Sequence, residues 1–288
     1  MSSTVGLIGV GALGRALLKR LLASGVSVQA FDPAPAAQRA AGEDGARVML
    51  TPGAAAHGAN YVHVIVASDE QTTEAVLGPD GVLHGASPGT ILFLHSTILP
   101  GTTTTIAQVC VEKGVVVLDA PITGIPRRFE AGEGIFFVGG PRDVVTAVSG
   151  HLLSLGSAVH HVGPLGAGNA IKLAKNLYNA GERVLLWEIL NFVEAAGLDV
   201  PQFLEMQIAT HGRPVVAEWE STFVIENGHA EHRPTTNLFR KDVMLAVKQS
   251  ERFGLDAPLT QGVAQTAQKW VQAWDCRSKV SEVHSRKE

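Results

Sequence analysis

The chain has 288 residues, 45% of them hydrophobic and 17% charged, with a formal net charge of -4. This content supports one or two buried cores and argues against disorder, while the mildly acidic balance offers no attraction to nucleic acid or anionic membrane; neither is expected as a partner. Cys110 and Cys276 lie far apart with no metal spacing, and the N-terminus lacks a basic, apolar, cleavable leader, so a cytoplasmic location is expected.

In chain order, an apolar strand from Val5 runs into Gly9-Val10-Gly11-Ala12-Leu13-Gly14, and Arg15 to Ala23 continue as an apolar-striped helix. In a strand–turn–helix setting Gly9 permits the tight turn, Gly11 lets backbone approach a pyrophosphate, and Gly14 allows close helix–strand packing. These six residues are expected to bind a dinucleotide. A second strand, Val26 to Phe31, ends at Asp32. A carboxylate about 20 residues after the glycines accepts ribose hydroxyls and repels a 2′-phosphate, so NAD is expected in preference to NADP. Val- and Ile-rich runs then alternate with helical stretches at Tyr61–Val66, Thr90–Leu94, Val115–Leu118, Ile135–Val138 and Ala158–Val162. This is the rhythm of a parallel sheet wrapped by helices, so residues 1–163 are expected to form an α/β Rossmann-type domain. Val66 and Ala67, ending the first of these runs, join the expected cofactor contacts.

After Gly163 the pattern changes to a long proline-free stretch, read as one helix over about 166–196. The remainder reads as helices broken at His211-Gly212-Arg213-Pro214, around Asn227-Gly228 and near Pro258, without strands. Residues 164–288 are thus expected to be an all-α substrate and dimerisation domain, with Arg277–Glu288 a frayed tail. Lys172 and Asn176 stand four residues apart and so share one face of the long helix, whereas Lys175 points about 100° away. That helix begins where the nucleotide domain ends, placing its first turns near the cleft where ligands of two-domain proteins sit. Burial there lowers an amine's pKa from about 10.4 toward neutrality, which suits general acid–base work. A solvated lysine is the competing reading.

Five blocks in order carry a resemblance: Gly9 to Gly14, Ser96-Thr97-Ile98-Leu99-Pro100, Asp119-Ala120-Pro121-Ile122-Thr123-Gly124, Gly166 to Asn176, and Phe239-Arg240-Lys241-Asp242-Val243. Over nearly its whole length the sequence resembles the 3-hydroxyisobutyrate, or β-hydroxyacid, dehydrogenase family. The resemblance implies that Lys172 is the general acid–base and that Asn176 holds the substrate or its hydroxyl. It implies that Thr123 and Gly124 lie at the substrate carboxylate, and Ser96 and Thr97 near nicotinamide and substrate. Lys241 would reach cofactor or substrate, and Asp242 would orient its neighbours. An ordinary turn at Thr123, a loop at Ser96 and Thr97 and a solvated Lys241–Asp242 pair are the alternatives.

The departures are Ile125, where the family usually has a second glycine, and Arg127, Arg128 and Phe129, where it usually has small residues. This loop is expected to be bulkier and more basic; its arginines either clamp a second carboxylate or phosphate or are solvated. His95 stands where a carboxylate is common and reads as a packed, hydrogen-bonded strand-end residue. No metal is expected, and His160-His161 point to opposite faces of a strand. The whole reads as an NAD-dependent oxidoreductase moving hydride between nicotinamide and the β-carbon of a small 3-hydroxy acid or its carbonyl form. Imine or aldehyde reduction on the same fold, and a non-catalytic dinucleotide-binding scaffold, are the alternatives. The resemblance also implies a homodimer or homotetramer; the apolar set Val184, Leu185, Ile189 and Phe192 suits either a second subunit or an internal core.

Overall fold

Four of the five residues of β1 (Thr4–Ile8) are buried in unbroken succession, as happens when both faces of a strand are covered. The computed structural model describes residues 4–211, 223–226, 229–232 and 236–270. After β1 come α1 (Ala12–Ala23), β2 (Ser27–Phe31), α2 (Pro35–Glu43), β3 (Arg47–Val48), α3 (Pro52–Ala56), β4 (Tyr61–Val64), α4 (Asp69–Leu77) and α5 (Val82–Gly85). The chain continues through β5 (Ile91–Leu94), α6 (Pro100–Val111), β6 (Val116–Asp119), β7 (Ile122–Thr123), α7 (Pro126–Glu130), β8 (Ile135–Gly139), α8 (Arg142–Leu155), β9 (Ala158–Gly163) and α9 (Ala167–Ala195).

The sheet order is β3-β2-β1-β4-β5-β6-β8-β7, with β9 also beside β8. The first six strands pair in parallel. The expected parallel sheet is interrupted at β8, which runs antiparallel to β6 and β7 and parallel to β9. The segment through α7 returns the chain from Thr123 to Ile135, which pair directly as antiparallel neighbours. The order reverses between β1 and β4, and in such sheets ligands bind outside the carboxyl ends of the strands at that point. One face buries Leu7, Leu17, Leu21, Phe93, Phe129 and Phe136; the other buries Ile8, Val62, Leu92, Leu94, Ile98 and Ile106.

Contacts gather the chain into two units, Met1–Lys172 and Leu173–Glu288. The second contains most of α9, then α10 (Val200–His211), α11 (Thr236–Arg252) and a helix over 258–270. Leu190, Val193, Val200 and Leu204 form one core there, and Ala180, Val243 and Ala264 another. α9 matches the expected long helix closely. This half is not wholly helical, because β10 (Phe223–Glu226) and β11 (His229–His232) pair antiparallel. The sequence between them, Asn227-Gly228, reads as a helix break, but flanked by a β-branched run it is equally a two-residue hairpin signal. The apolar set on α9 also divides: Val184 is buried and Ile189 packs beside Leu190, whereas Leu185 and Phe192 face solvent. The tail Arg277–Glu288 and Cys276 lie outside the described residues. Among those described, no helix is long and apolar enough to cross a membrane.

Candidate active site

At the carboxyl end of β1 the glycines behave as their spacing requires. Gly9 has φ of 94°, and a Cβ there would lie 2.2 Å from the Ile65 carbonyl oxygen; one at Gly14 would lie 2.1 Å from that of Gly9. Neither position admits a side chain. Gly11 differs, since a Cβ there would meet nothing within 4 Å, leaving an open approach to the backbone. Gly11 is the N-cap of α1 and supplies no side-chain cap, so the first N–H groups of the helix, on Ala12, Leu13 and Gly14, have no intrahelical acceptor. An open backbone, orphan donors and a positive helix end together fit a dinucleotide pyrophosphate.

Asp32 accepts hydrogen bonds from Val10 N (2.7 Å) and Ala34 N (2.9 Å). Its carboxylate therefore ties the end of β2 to the glycine loop. At the next strand ends, Ser96 is buried and its Oγ accepts from Val66 N at 2.9 Å, so this hydroxyl links the residues following β4 and β5. Ala67 donates to Gln71 Oε1 at 2.9 Å, and Thr97 is half-buried. The expected cofactor positions in this unit thus gather at the carboxyl ends of adjacent strands.

Beyond β6 a second cluster forms. Lys172 Nζ, half-buried on the first turns of α9, donates to the Ile122 carbonyl at 2.7 Å. The next residue, Thr123, has a buried Oγ1 with no hydrogen-bond partner, and the residue after it, Gly124, has φ of 134° and open space where a Cβ would be. A buried hydroxyl left unsatisfied costs about 1–3 kcal/mol, and this one stands beside an amine and an open backbone.

Asp119 holds this cluster in place and was missed by the sequence reading. Its side chain is fully buried; Oδ1 accepts from Gly166 N (2.7 Å) and Oδ2 from Asn169 N (2.8 Å), at the start of α9. Burial pushes its pKa up, and the Gly166, Asn169 and Gly168 N–H groups oppose that rise. Asn169 in turn accepts from Ile98 N at 3.2 Å and donates to Thr103 Oγ1 at 3.2 Å. An acidic strand end two residues before a proline, with a helix opening Gly-Ala-Gly-Asn, is the available signal.

The atypical loop is largely structural. Phe129 is fully buried and meets Phe136 edge-on, with ring centroids 5.8 Å apart. Arg128 pairs with Glu133 at 2.8 Å on the surface, and Glu130 pairs with Lys19 at 2.7 Å. Of the two readings of the loop arginines, the exposed Arg127 and the surface pair Arg128–Glu133 favour the solvated one, and Ile125 is 59% exposed. In the second unit Asn176 Nδ2 donates to Asp242 Oδ2 at 2.8 Å, and Lys241 Nζ lies 3.2 Å from Asp242 Oδ1. Within Trp219–Arg240, expected to read the substrate side chain, residues 219–222, 227–228 and 233–235 lie outside the described residues. Among those described, no group of three His, Cys, Asp or Glu is placed to hold a metal. Cys110 is buried, and its thiol is pushed up to about 11 by that burial.

A family model described as the NAD binding domain of 6-phosphogluconate dehydrogenase matches residues 4–163, and one described as NAD-binding of NADP-dependent 3-hydroxyisobutyrate dehydrogenase matches 166–283. The 2-(hydroxymethyl)glutarate dehydrogenase of Eubacterium barkeri is 29% identical over 259 residues, covering 90% of this chain and 86% of its own. The solved 3-hydroxyisobutyrate dehydrogenase of Mycobacterium tuberculosis, with L-serine, superposes with a TM-score of 0.81 at 24% identity and covers 94% of each chain. An imine reductase from Myxococcus stipitatus in complex with NADP+ shares the fold at a TM-score of 0.64 and 19% identity, again over 94% of each chain. With both halves matched in order by family models and the glycine loop, Asp-Ala-Pro block and lysine-bearing helix all in place, the chain belongs to the 3-hydroxyisobutyrate dehydrogenase family.

Proposed function

We propose that the protein is an NAD-dependent dehydrogenase that oxidises the β-hydroxyl of a small 3-hydroxy acid, or reduces the corresponding carbonyl, without a metal. The observation that carries this reading is the Lys172 amine bonded at 2.7 Å to the Ile122 carbonyl, directly beside the unpartnered Thr123 hydroxyl. NAD, when bound, supplies the hydride acceptor. In oxidation neutral Lys172 Nζ takes the hydroxyl proton as the C–H hydride leaves; in reduction its ammonium form returns a proton to the carbonyl oxygen. Thr123 Oγ1 donates to the substrate carboxylate, and the open Gly124 backbone lets that carboxylate approach. Asn176 holds the reacting oxygen, while Ser96 and Lys241 complete the substrate's polar contacts. Gly9 to Gly14, Asp32, Val66, Ala67, Thr97 and Lys241 line the cofactor. Asp32 favours NAD because both its oxygens already anchor backbone N–H groups, which fixes a negative charge where a 2′-phosphate would fall.

The test follows NADH formation with NAD and a panel of 3-hydroxyisobutyrate, 2-(hydroxymethyl)glutarate and L-serine, each repeated with NADP. Turnover of at least one acid with NAD supports the reading. Binding of NADH with no turnover of any acid, at any pH from neutral to mildly alkaline, rejects it.

A homodimer is part of the same proposal. Ile171, Tyr178, Leu185 and Phe192 are all exposed and recur every seven residues along α9, a spacing that keeps them in one stripe of a helix. A second copy of that stripe is the occupant we assign to it.

A further inference from the structure

Three histidines with no part in the proposed chemistry form one hydrogen-bonded line beneath it. His63 on β4 and His95 just after β5 are buried, and His151 on α8 is half-buried. His63 Nδ1 lies 2.8 Å from His95 Nε2, His63 Nε2 lies 3.0 Å from His151 Nε2, and His95 Nδ1 lies 2.7 Å from the Ala120 carbonyl oxygen. Aromatic rings enclose them: Tyr61 stacks on His151 at 4.4 Å, Phe93 on His63 at 4.9 Å, and Phe136 tilts against His95 at 5.7 Å. The titratable groups that face these imidazoles from β4, β5 and α8 are one another and the Tyr61 ring; among the described residues no carboxylate or cation acts on any of them.

The end of the line fixes every proton in it. A carbonyl only accepts, so His95 Nδ1 carries hydrogen and, in a neutral ring, Nε2 is bare. His63 Nδ1 must then donate to it, which leaves His63 Nε2 bare and obliges His151 Nε2 to donate. Three neutral rings supply three N–H groups to three bonds in a single direction, and His151 Nδ1 is the one ring nitrogen left to receive a proton. The line crosses β4 and β5 to reach the backbone just past β6. One residue beyond His95 lies Ser96; two beyond Ala120 lies Ile122, the first residue of β7, whose carbonyl holds Lys172.

We propose that His95, held in one tautomer by His63 and His151, is a positioning residue for the reaction: its Nδ1–H fixes the Ala120 carbonyl and with it the Ile122–Thr123 backbone, and protonation of the line releases that backbone. This rests on the roles given above to Lys172 and Thr123. A proton entering at His151 Nδ1 creates an imidazolium with no counter-ion among the described residues; the ring relieves that by turning to water and breaking its bond to His63, so that His63 and then His95 lose the partner that fixes their tautomers, and the bond to Ala120 is no longer held. Burial already holds His95 and His151 down to about 4 and His63 well below its ordinary value, so the line is neutral and intact at neutral pH.

The test compares wild type, His95→Asn, His95→Leu and Lys172→Ala by kcat and KM across pH, with circular dichroism and NADH affinity recorded at each point. His95→Asn, which keeps an N–H for Ala120, is expected to stay within a few-fold of wild type. His95→Leu should lose about 10- to 100-fold in kcat with NADH affinity unchanged, and wild-type kcat should fall in acid while the dichroism is still native. A folded His95→Leu with full kcat, or acid loss of kcat that tracks unfolding in wild type and His95→Asn alike, overturns the proposal. Full turnover by Lys172→Ala instead overturns the role of Lys172, and the positioning role with it. If His95→Leu does not fold, imidazole ¹⁵N spectra of the wild type decide. Separate Nδ1–H, Nδ1–H and Nε2–H tautomers for His95, His63 and His151 support the line, and any other assignment or averaged tautomers reject it.

Discussion

Asn176 and Asp242 meet within the second unit through a 2.8 Å hydrogen bond from Nδ2 to Oδ2, and the other carboxylate oxygen lies 3.2 Å from Lys241 Nζ. An ionised carboxylate only accepts, so the Asn176 amide is fixed with nitrogen toward Asp242, keeping Oδ1 and its second N–H for a ligand. Asp242→Asn removes that distinction and is expected to lower kcat about 10- to 100-fold. Asn176→Asp places two carboxylates face to face and is expected to be worse. Steady-state kinetics checks both, with NADH affinity as the control.

Lys172→Ala should lose about 10²- to 10⁴-fold in kcat, the range for removing a general acid–base, while NAD still binds. The fluorescence of bound NADH reports binding, and the pH–rate profile should lose the limb that the amine contributes.

Asp32→Ala removes a carboxylate that accepts from both Val10 N and Ala34 N. In the proposed complex the variant also deprives the NAD ribose of a charge-assisted acceptor, a bond of about 1.5–3 kcal/mol, so the affinity for NAD should fall about 10- to 100-fold. NADP should suffer less, and titration of both cofactors measures the ratio.

Acid should destabilise the fold through the buried imidazoles. Burial lowers the folded pKa of His95 and His151 to about 4 and that of His63 below its ordinary value, whereas in the unfolded chain each returns to about 6.5. The unfolded state therefore takes up protons that the native state refuses. The stabilisation is complete above about pH 6.5 and is lost as pH falls toward 4, with a slope of up to about 1.4 kcal/mol per pH unit for each histidine. Urea unfolding at several pH values measures it, and His151→Phe should flatten the dependence.

Leu185→Glu and Phe192→Glu put charge into the exposed stripe of α9, where the wild-type side chains are 59% and 74% exposed. Light scattering should show a dimer for the wild type and a monomer for the double variant, with the monomer's far-ultraviolet spectrum unchanged.

What the sequence disclosed was local. The glycine loop and α9 follow from spacing and composition within a few turns of chain, and Ala167–Ala195 lies within one residue of the expected helix at each end. Nothing local marked the reversal at β8, which depends on which edge Thr123 and Ile135 share. Phe129 reads as part of a pocket loop until α7 turns it into the core against Phe136. The residues that orient the site, Asp119, Asn169 and the three histidines, act through hydrogen bonds between positions distant in the chain, which no periodicity reveals. The apolar positions of α9 were visible, but their division between core and surface depends on what packs against each side.

The burial of Asp119 also bears on where this chain can be cut. Among the described residues the carboxylate has no cation; its partners are the backbone N–H groups of Gly166 and Asn169, with Gly168 beside them, and a Cβ at Gly139 or Gly168 would sit against its oxygens. A fragment ending at Gly163 would keep the charge and discard its donors, at a cost of several kcal/mol for a buried ion left alone. The nucleotide-binding half therefore folds by borrowing the opening turns of the helix that follows it, and a severed version must carry those residues with it.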